Sequence, residues 1–316
     1  MTLTAPLPTD VEAAAPPPPG AGAEVRKGGW FVRITIVIVV ALWLVPTLGV
    51  LITSFRPQAV VNTSGWWTTF AHLFDSSQWT FENYRQTLDA QGFENAFLNS
   101  LAVTIPATVI PITIAAFAAY AFSWMEFRGR YVMFVAVVGL LVVPLQMALI
   151  PILRLFVDGA QLGGVTIFPD LDLNGTFLGV WLAHTAFGLP LAVYLLRNFI
   201  GALPSSIIES AKIDGADHFT IFWRLVVPLS VPALAAFAIF QFLWVWNDLL
   251  VARIFLGATE ENRVLTLALQ TLNGSRGEDW HLLTSAAFIS MILPLVVFFS
   301  LQRYFIRGLT AGAVKG

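Results

Sequence analysis

Six stretches of this chain are each long and apolar enough to cross a hydrocarbon layer about 30 Å thick, which takes about 20 helical residues. They run over 34–53, 98–122, 131–153, 176–196, 229–250 and 282–301, and the only Asp, Glu, Lys or Arg in any of them is Asp248, near the end of the fifth. Segments of this kind need a solvent other than water, and a helix is the open-ended structure that satisfies its own backbone there. The fold class expected is therefore all-α integral membrane, with six transmembrane helices. Prolines 46, 106, 111, 144, 151, 190, 232 and 294 fall inside these spans. Membrane helices tolerate them when neighbours or water satisfy the freed backbone groups. Composition agrees: 57% of the 316 residues are hydrophobic and 11% charged, whereas charged residues make up about 25% of a soluble domain.

Lys and Arg sort unequally between alternate loops, which sets orientation. With the N-terminus cytoplasmic, one face carries Arg26, Lys27, Arg33, Arg128, Arg130, Arg197, Lys212, Arg224, Arg303, Arg307 and Lys315. The opposite face carries Arg56, Arg85, Arg154, Arg253, Arg263 and Arg276, fewer charges on longer segments. Both termini are expected inside. Residues 1–29 are Ala- and Pro-rich, with Pro16 to Pro19 in a row, and read as a disordered cytoplasmic tail ahead of a membrane domain at 30–316. The first span is too long and too far from the start for an ordinary signal peptide. The outer segment 54–97 mixes Trp66, Trp67, Trp79 and Tyr84 with polar residues. It is expected to form a small cap at the membrane surface, its aromatics read first as interfacial anchors.

Several chemistries find no support. The chain has no Gly-x-x-x-x-Gly-Lys-Ser/Thr phosphate loop. Histidines 72, 184, 218 and 281 lack any metal-ligand spacing, and there is no cysteine. No catalytic residue, metal, cofactor or nucleic-acid partner is expected on this chain. Mid-membrane carboxylates, which a proton-coupled carrier needs, are almost absent, so any energy for transport must come from another subunit.

Between the fourth and fifth spans, residues 204–228 form a polar stretch that reads as structured. Ser206 and Glu209 have the spacing of a capping box, which starts a short helix at Ile207. Gly215 sits where that helix should stop in a left-handed turn. A second helix from about Asp217 would show Phe219, Phe222 and Val226 on one face before Pro228 opens the fifth span. The result is a helix-turn-helix projecting from the membrane.

Glu209, Ser210, Ala211, Gly215, Leu225, Val227 and Pro228 also follow the spacing of a signature: Glu-Ala-Ala, three residues, Gly, nine residues, Ile, one residue, Leu-Pro. This loop resembles the cytoplasmic signature loop of ABC-importer permeases. Asn99-Ser100, Ala118-Ala119-Tyr120-Ala121-Phe122, Gly129-Arg130, Leu195-Leu196-Arg197 and Trp246-Asn247-Asp248 resemble the carbohydrate branch. The tail 302–316 resembles that of the smaller, six-span permease of maltose and α-glucoside systems.

The resemblance implies half of a translocation pathway for a di- or oligosaccharide, completed by a second permease as a heterodimer. Two ATP-binding subunits, carrying ATP and Mg, and an extracytoplasmic solute-binding protein complete the assembly in a bacterial inner membrane. It places coupling to the ATPase on Glu209, Ser210, Ala211, Asp214, Gly215 and Pro228, with Asp214 alternatively pairing with Lys212. The loop from Asn273 to Trp280, with Gly274, Ser275, Arg276 and Gly277, either reaches the binding protein or is a plain flexible connection. The tail lies against the ATPases or anchors to anionic lipid.

On the fifth span Phe237, Gln241, Trp244 and Asp248 recur on one helical face, beside Asn247, and mix rings with hydrogen-bonding groups as a sugar would need. That stripe is either pathway lining or packing; Gln146 and His184 are weaker pathway candidates. Ala115 and Ala119 read as close helix packing. Competing readings are an ABC permease for another solute such as glycerol phosphate, which would want basic pore residues, and a secondary carrier.

Overall fold

The structure, a computed structural model, describes residues 29–90, 92–272 and 279–311, and side chains as far as Tyr304. Of the tail expected over 1–29 all but Gly29, together with residues 274–277 and the C-terminal end, lie outside what it describes. The chain divides into two units, one ending at Leu48 and one beginning at Gly49.

Helix α1 (Trp30–Ser54) is the first span. Beyond it, α2 (Gln58–Val61), two 3-10 turns (Trp66–Ala71 and Ser76–Gln78) and α3 (Glu82–Asp89) build the cap. Polar side chains hold it: Asn83 Nδ2 donates to the carbonyls of Ser54 and Arg56, each at 2.9 Å, and the buried Arg56 guanidinium donates to the Ser64 carbonyl and hydroxyl. Burial pushes the Arg56 pKa down. The indole of Trp66 lies where a Cβ at Gly49 would have to be, so the glycine admits it.

The second span is α4 (Phe93–Trp124). Its Ile105 and Val109 point outward while Val103, Ala107, Ala115 and Ala119 are buried against neighbouring helices. Ala115 and Ala119 are fully covered, as close packing requires.

The third span differs from the single helix expected over 131–153. It consists of α5 (Arg130–Gly139), a 3-10 turn (Leu140–Val142) and α6 (Leu145–Asp158), with a 111° bend between the arms. Pro144 explains the break. It lacks the N–H that would bond the Leu140 carbonyl, and it disfavours helical backbone at Val143, which is extended at ψ 117°. Val143 N–H instead closes on Leu140 O at 3.1 Å. Among the described residues there are thus five long apolar helices, or six spans with the bent pair counted as one.

An antiparallel hairpin follows, β1 (Ala160–Leu162) and β2 (Val165–Phe168), a small addition to the all-α expectation. Then come α7 (Phe177–Ile200), α8 (Ser205–Ile213), α9 (His218–Ile221), a π-helical turn (Phe222–Val226) and α10 (Val227–Trp246). The stretch from His218 to Trp246 passes as one continuous apolar helix. It ends four residues short of the expected Leu250, and α11 (Leu250–Phe255), α12 (Leu265–Leu272) and α13 (Trp280–Ala311) complete the chain.

Proline placement ties the spans together. A proline removes the hydrogen bond to the carbonyl four residues earlier. Pro106 frees Ala102 O, which accepts from Trp181 Nε1 of α7 at 2.9 Å. Pro111 frees Ala107 O, which accepts from Gln241 Nε2 of α10 at 3.1 Å. Pro294 frees Ser290 O, which accepts from Trp246 Nε1 at 3.1 Å. Three helix-weakening residues thereby become three inter-helix joints.

Candidate functional site

The polar stretch between α7 and α10 is a hairpin of two helical arms. Its first arm, α8, starts two residues earlier than the capping-box reading places it. Pro204 is the N-cap, with no side-chain cap bond, and Ile207 N–H bonds Pro204 O at 3.2 Å. Ser206 is already helical, so its hydroxyl is not at a cap, and the Ser206–Glu209 box does not form.

The turn is as the glycine suggested. Gly215 has φ +81°, Gly215 N–H bonds Lys212 O at 3.1 Å, and Ala216 N–H reaches back to Ala211 O at 3.0 Å. This pair of bonds is the Schellman ending, in which the left-handed residue satisfies the last helical carbonyls. Ala211 and Gly215 are therefore two ends of one turn. Beyond it Asp217 caps the second arm, its carboxylate accepting from Thr220 N–H at 2.8 Å. The hydrogen bonds from Thr220 hold that carboxyl below the usual aspartate range.

Inside the hairpin Ile208, Ile221, Phe222 and Val226 are buried in one cluster with Tyr120, Leu196 and Ile200. Phe219, expected on the same face as Phe222, is instead 66% exposed, with its ring 6.2 Å from that of Trp223. The π turn lets Val227 N–H bond Phe222 O, five residues back. Pro228, exposed at the start of α10, could not have donated there.

Outward, the hairpin presents Glu209, Ser210, Asp214 and Gly215 as exposed residues. Ser206, Ile207, Ser210, Ala211, Asp214 and Leu225 line an open groove of ≈ 410 Å³ along α8. Ile213 at 86% exposure is the most solvent-facing apolar side chain of this arm. Among the described residues Lys212 and Asp214 make no ion pair, so the local pairing does not occur.

The stripe read on the fifth span divides. Phe237 and Gln241 are buried inside this chain, Gln241 with its amide against Gly188, where a Cβ would stand 2.8 Å from both amide atoms. Trp244 is half-buried, its ring edge-on to His184 with centroids 5.9 Å apart. Asn247 is exposed and donates to Leu243 O at 2.7 Å. Asp248 lies past the end of α10, in the elbow before α11, and accepts from Ala252 N–H at 3.0 Å. His184 is fully buried with its Nε2 3.8 Å from Asp248 Oδ2, and Gln146 is exposed at the start of α6.

Residues with no role assigned from sequence hold the ends of the membrane helices. At the hairpin end Trp124 Nε1 donates to Ile200 O at 3.0 Å, and Tyr120 Oη lies 2.9 Å from His218 Nδ1. At the opposite end Asn99 Nδ2 donates to the carbonyls of Glu261 and Arg263, and Ser100 Oγ accepts from Leu265 N–H at 2.7 Å. The Asn-Ser and Ala-Ala-Tyr-Ala-Phe motifs contained Asn99, Ser100 and Tyr120, but their partners are far along the chain.

Residues 104–311 match the family described as binding-protein-dependent transport system inner membrane component. The chain is 57% identical over 284 residues to the osmoprotective compounds uptake permease protein GgtD of Synechocystis sp., covering 90% of this chain and 91% of that protein. It is 42% identical over 376 positions to the alpha-glucoside transport system permease protein AglG of Rhizobium meliloti, covering 91% and 97%. A bacterial ABC transporter involved in the import of the polysaccharide alginate has the same fold, with a TM-score of 0.69 at 20% identity, over 87% of this chain and 95% of that one. Multi-pass helices, a built hairpin in the signature position and a family match over most of the chain agree, and this protein belongs to the binding-protein-dependent transport system inner membrane components.

Proposed function

We propose that this chain is a sugar-transporting permease subunit of an ATP-driven importer, with an α-glucoside or related oligosaccharide as cargo. It forms half of the pathway beside a second, different permease, and a solute-binding protein delivers the sugar. The observation that carries the coupling role is the hairpin: a rigid Schellman turn presents exposed Ile213 and Phe219 beside Glu209 and Asp214. Apolar side chains ringed by polar ones on a projecting element suit a protein partner. Two ATP-binding subunits occupy that side and hydrolyse ATP with Mg, and the hairpin converts their closure into movement of α10. Both termini lie on that cytoplasmic side, a placement supported by the Lys and Arg distribution.

A near-absence of charge in the spans favours a neutral cargo, and similarity to a permease named for alpha-glucoside transport supports the class. Half-buried Trp244 and exposed Asn247 are the pathway candidates; Phe237 and Gln241 serve packing. A second reading, an osmoprotective compound other than a sugar, is favoured by similarity to a permease named for such uptake.

The test is ATP hydrolysis by the assembled transporter in proteoliposomes, with binding protein and maltose, trehalose or glycine betaine as cargo. Stimulation and uptake with a disaccharide support the first reading, and stimulation by glycine betaine alone replaces it with the second. Gly215→Val, which forces a β-branched residue to positive φ, should leave insertion intact and remove stimulated hydrolysis. Wild-type stimulation and uptake in that variant would sink the coupling role.

A further inference from the structure

The hairpin continues from α7 through residues 201–204 and shares a buried cluster with Leu196 and Ile200 of that helix. Its second arm runs through the π turn into α10 without a break. The same arm also contacts α4. Phe117 stacks on Phe222 with centroids 4.5 Å apart, and Tyr120 meets Phe222 edge-on at 5.5 Å. Ring contacts of this kind are tolerant of sliding. The hydrogen bond between Tyr120 Oη and His218 Nδ1 at 2.9 Å is directional, and among the described residues it is the one hydrogen bond between α4 and the hairpin.

The helix behind Tyr120 gives the bond reach. Ser100 to Tyr120 is a helical rod of about 30 Å. In the half away from Tyr120 it is locked to α7 at Ala102 through Trp181 and to α10 at Ala107 through Gln241. At its far end Asn99 and Ser100 grip residues 261–265. A displacement entering at His218 therefore reaches the segment before α12 through α4, in parallel with the route along α10.

We propose that Tyr120 is a positioning residue for transport: its bond to His218 fixes the hairpin to α4, so that movement of the hairpin shifts the second and fifth spans together. This rests on the reading of the hairpin as the ATPase-coupling element. Without the bond, α10 still follows the hairpin and the Gln241 joint still holds α4 at Ala107, while the Tyr120 end of α4 slips along the Phe117–Phe222 stack. Hydrolysis then continues with less sugar moved per ATP.

The test uses the complete transporter in proteoliposomes, reading maltose or the identified sugar accumulated per ATP hydrolysed. Tyr120→Phe keeps the ring against Phe222, and should retain assembly and binding-protein-stimulated hydrolysis while the transport ratio falls roughly two- to tenfold, the size of one lost hydrogen bond. His218→Leu should do the same from the exposed side. His218→Asn, which returns a polar atom near Nδ1, should restore most of the ratio, and the double variant Tyr120→Phe/His218→Leu should be no worse than either single. A wild-type ratio in Tyr120→Phe, or losses that multiply in the double variant, overturns the proposal. If Tyr120→Phe does not assemble, the His218 pair decides alone: equal ratios for Leu and Asn overturn it. Gly215→Val separates the two levels, since a defect there with an unaffected Tyr120→Phe leaves the hairpin reading standing and removes only this one.

Discussion

Gln241 of α10 donates its side-chain amide to the carbonyl oxygen of Ala107 in α4, 3.1 Å away, the oxygen that Pro111 has taken out of the helical ladder. Gly188 of α7 lies flat against the same amide. A residue whose spacing suggested contact with sugar is thus a three-helix lock. The cause is the cost of an unpartnered carbonyl in an apolar interior, which a neighbouring donor removes.

Gln241→Leu keeps the volume and loses the donor. The Ala107 carbonyl is then buried without a partner, and stability should drop by about 1–3 kcal/mol. Gly188→Ala should reach a similar end by pushing the amide aside. Thermal unfolding of the purified chain in detergent checks both, and an unchanged midpoint in Gln241→Leu would show that the lock carries nothing.

Trp246→Phe retains much of the ring packing against Phe97 and Phe242 but loses the bond to Ser290 O. The loss should be about 1 kcal/mol. In a Pro294→Ala background the backbone N–H returns to satisfy Ser290 O, so the same replacement should cost measurably less. Unfolding midpoints of the four proteins supply the coupling; strictly additive shifts would contradict the proline-keyed joint.

Asp217→Ala should loosen the second arm of the hairpin, raising amide hydrogen exchange over residues 218–226. The pH dependence comes from the depressed carboxyl. Because the folded pKa lies below the unfolded one, the stabilisation is full above the ordinary aspartate value and is lost as pH falls through the lowered one. Exchange in the parent should therefore rise only in acid, while Asp217→Asn should show no such step.

Asp248→Asn preserves an acceptor for Ala252 N–H and should unfold within about 0.5 kcal/mol of the parent, since the charge is not what holds the elbow. Asp248→Ala removes the acceptor and should cost about 1 kcal/mol, as loss of a helix cap does. Equal midpoints for the two variants would assign the elbow to something other than this bond.

The sequence by itself determined what depends on neighbours along the chain. The spans were legible because a bilayer imposes a length and excludes charge. The hairpin turn was legible because a left-handed ending favours glycine, as Gly215 at φ +81° confirms; a second arm from about Asp217 was legible too, and the structure adds that the Asp217 carboxylate caps it. The helix start was misplaced by two residues, since Pro204 supplies the first helical carbonyl before Ser206 is reached. Only the tertiary structure decided what each intramembrane proline does. Pro111 and Pro144 both free a carbonyl. At Ala107 the Gln241 amide arrives from another helix and α4 continues; at Leu140 the chain closes on itself through Val143, and the third span breaks by 111°. A freed carbonyl has to find a donor, and whether that donor is near in sequence or only near in space is settled by the packing of the helices.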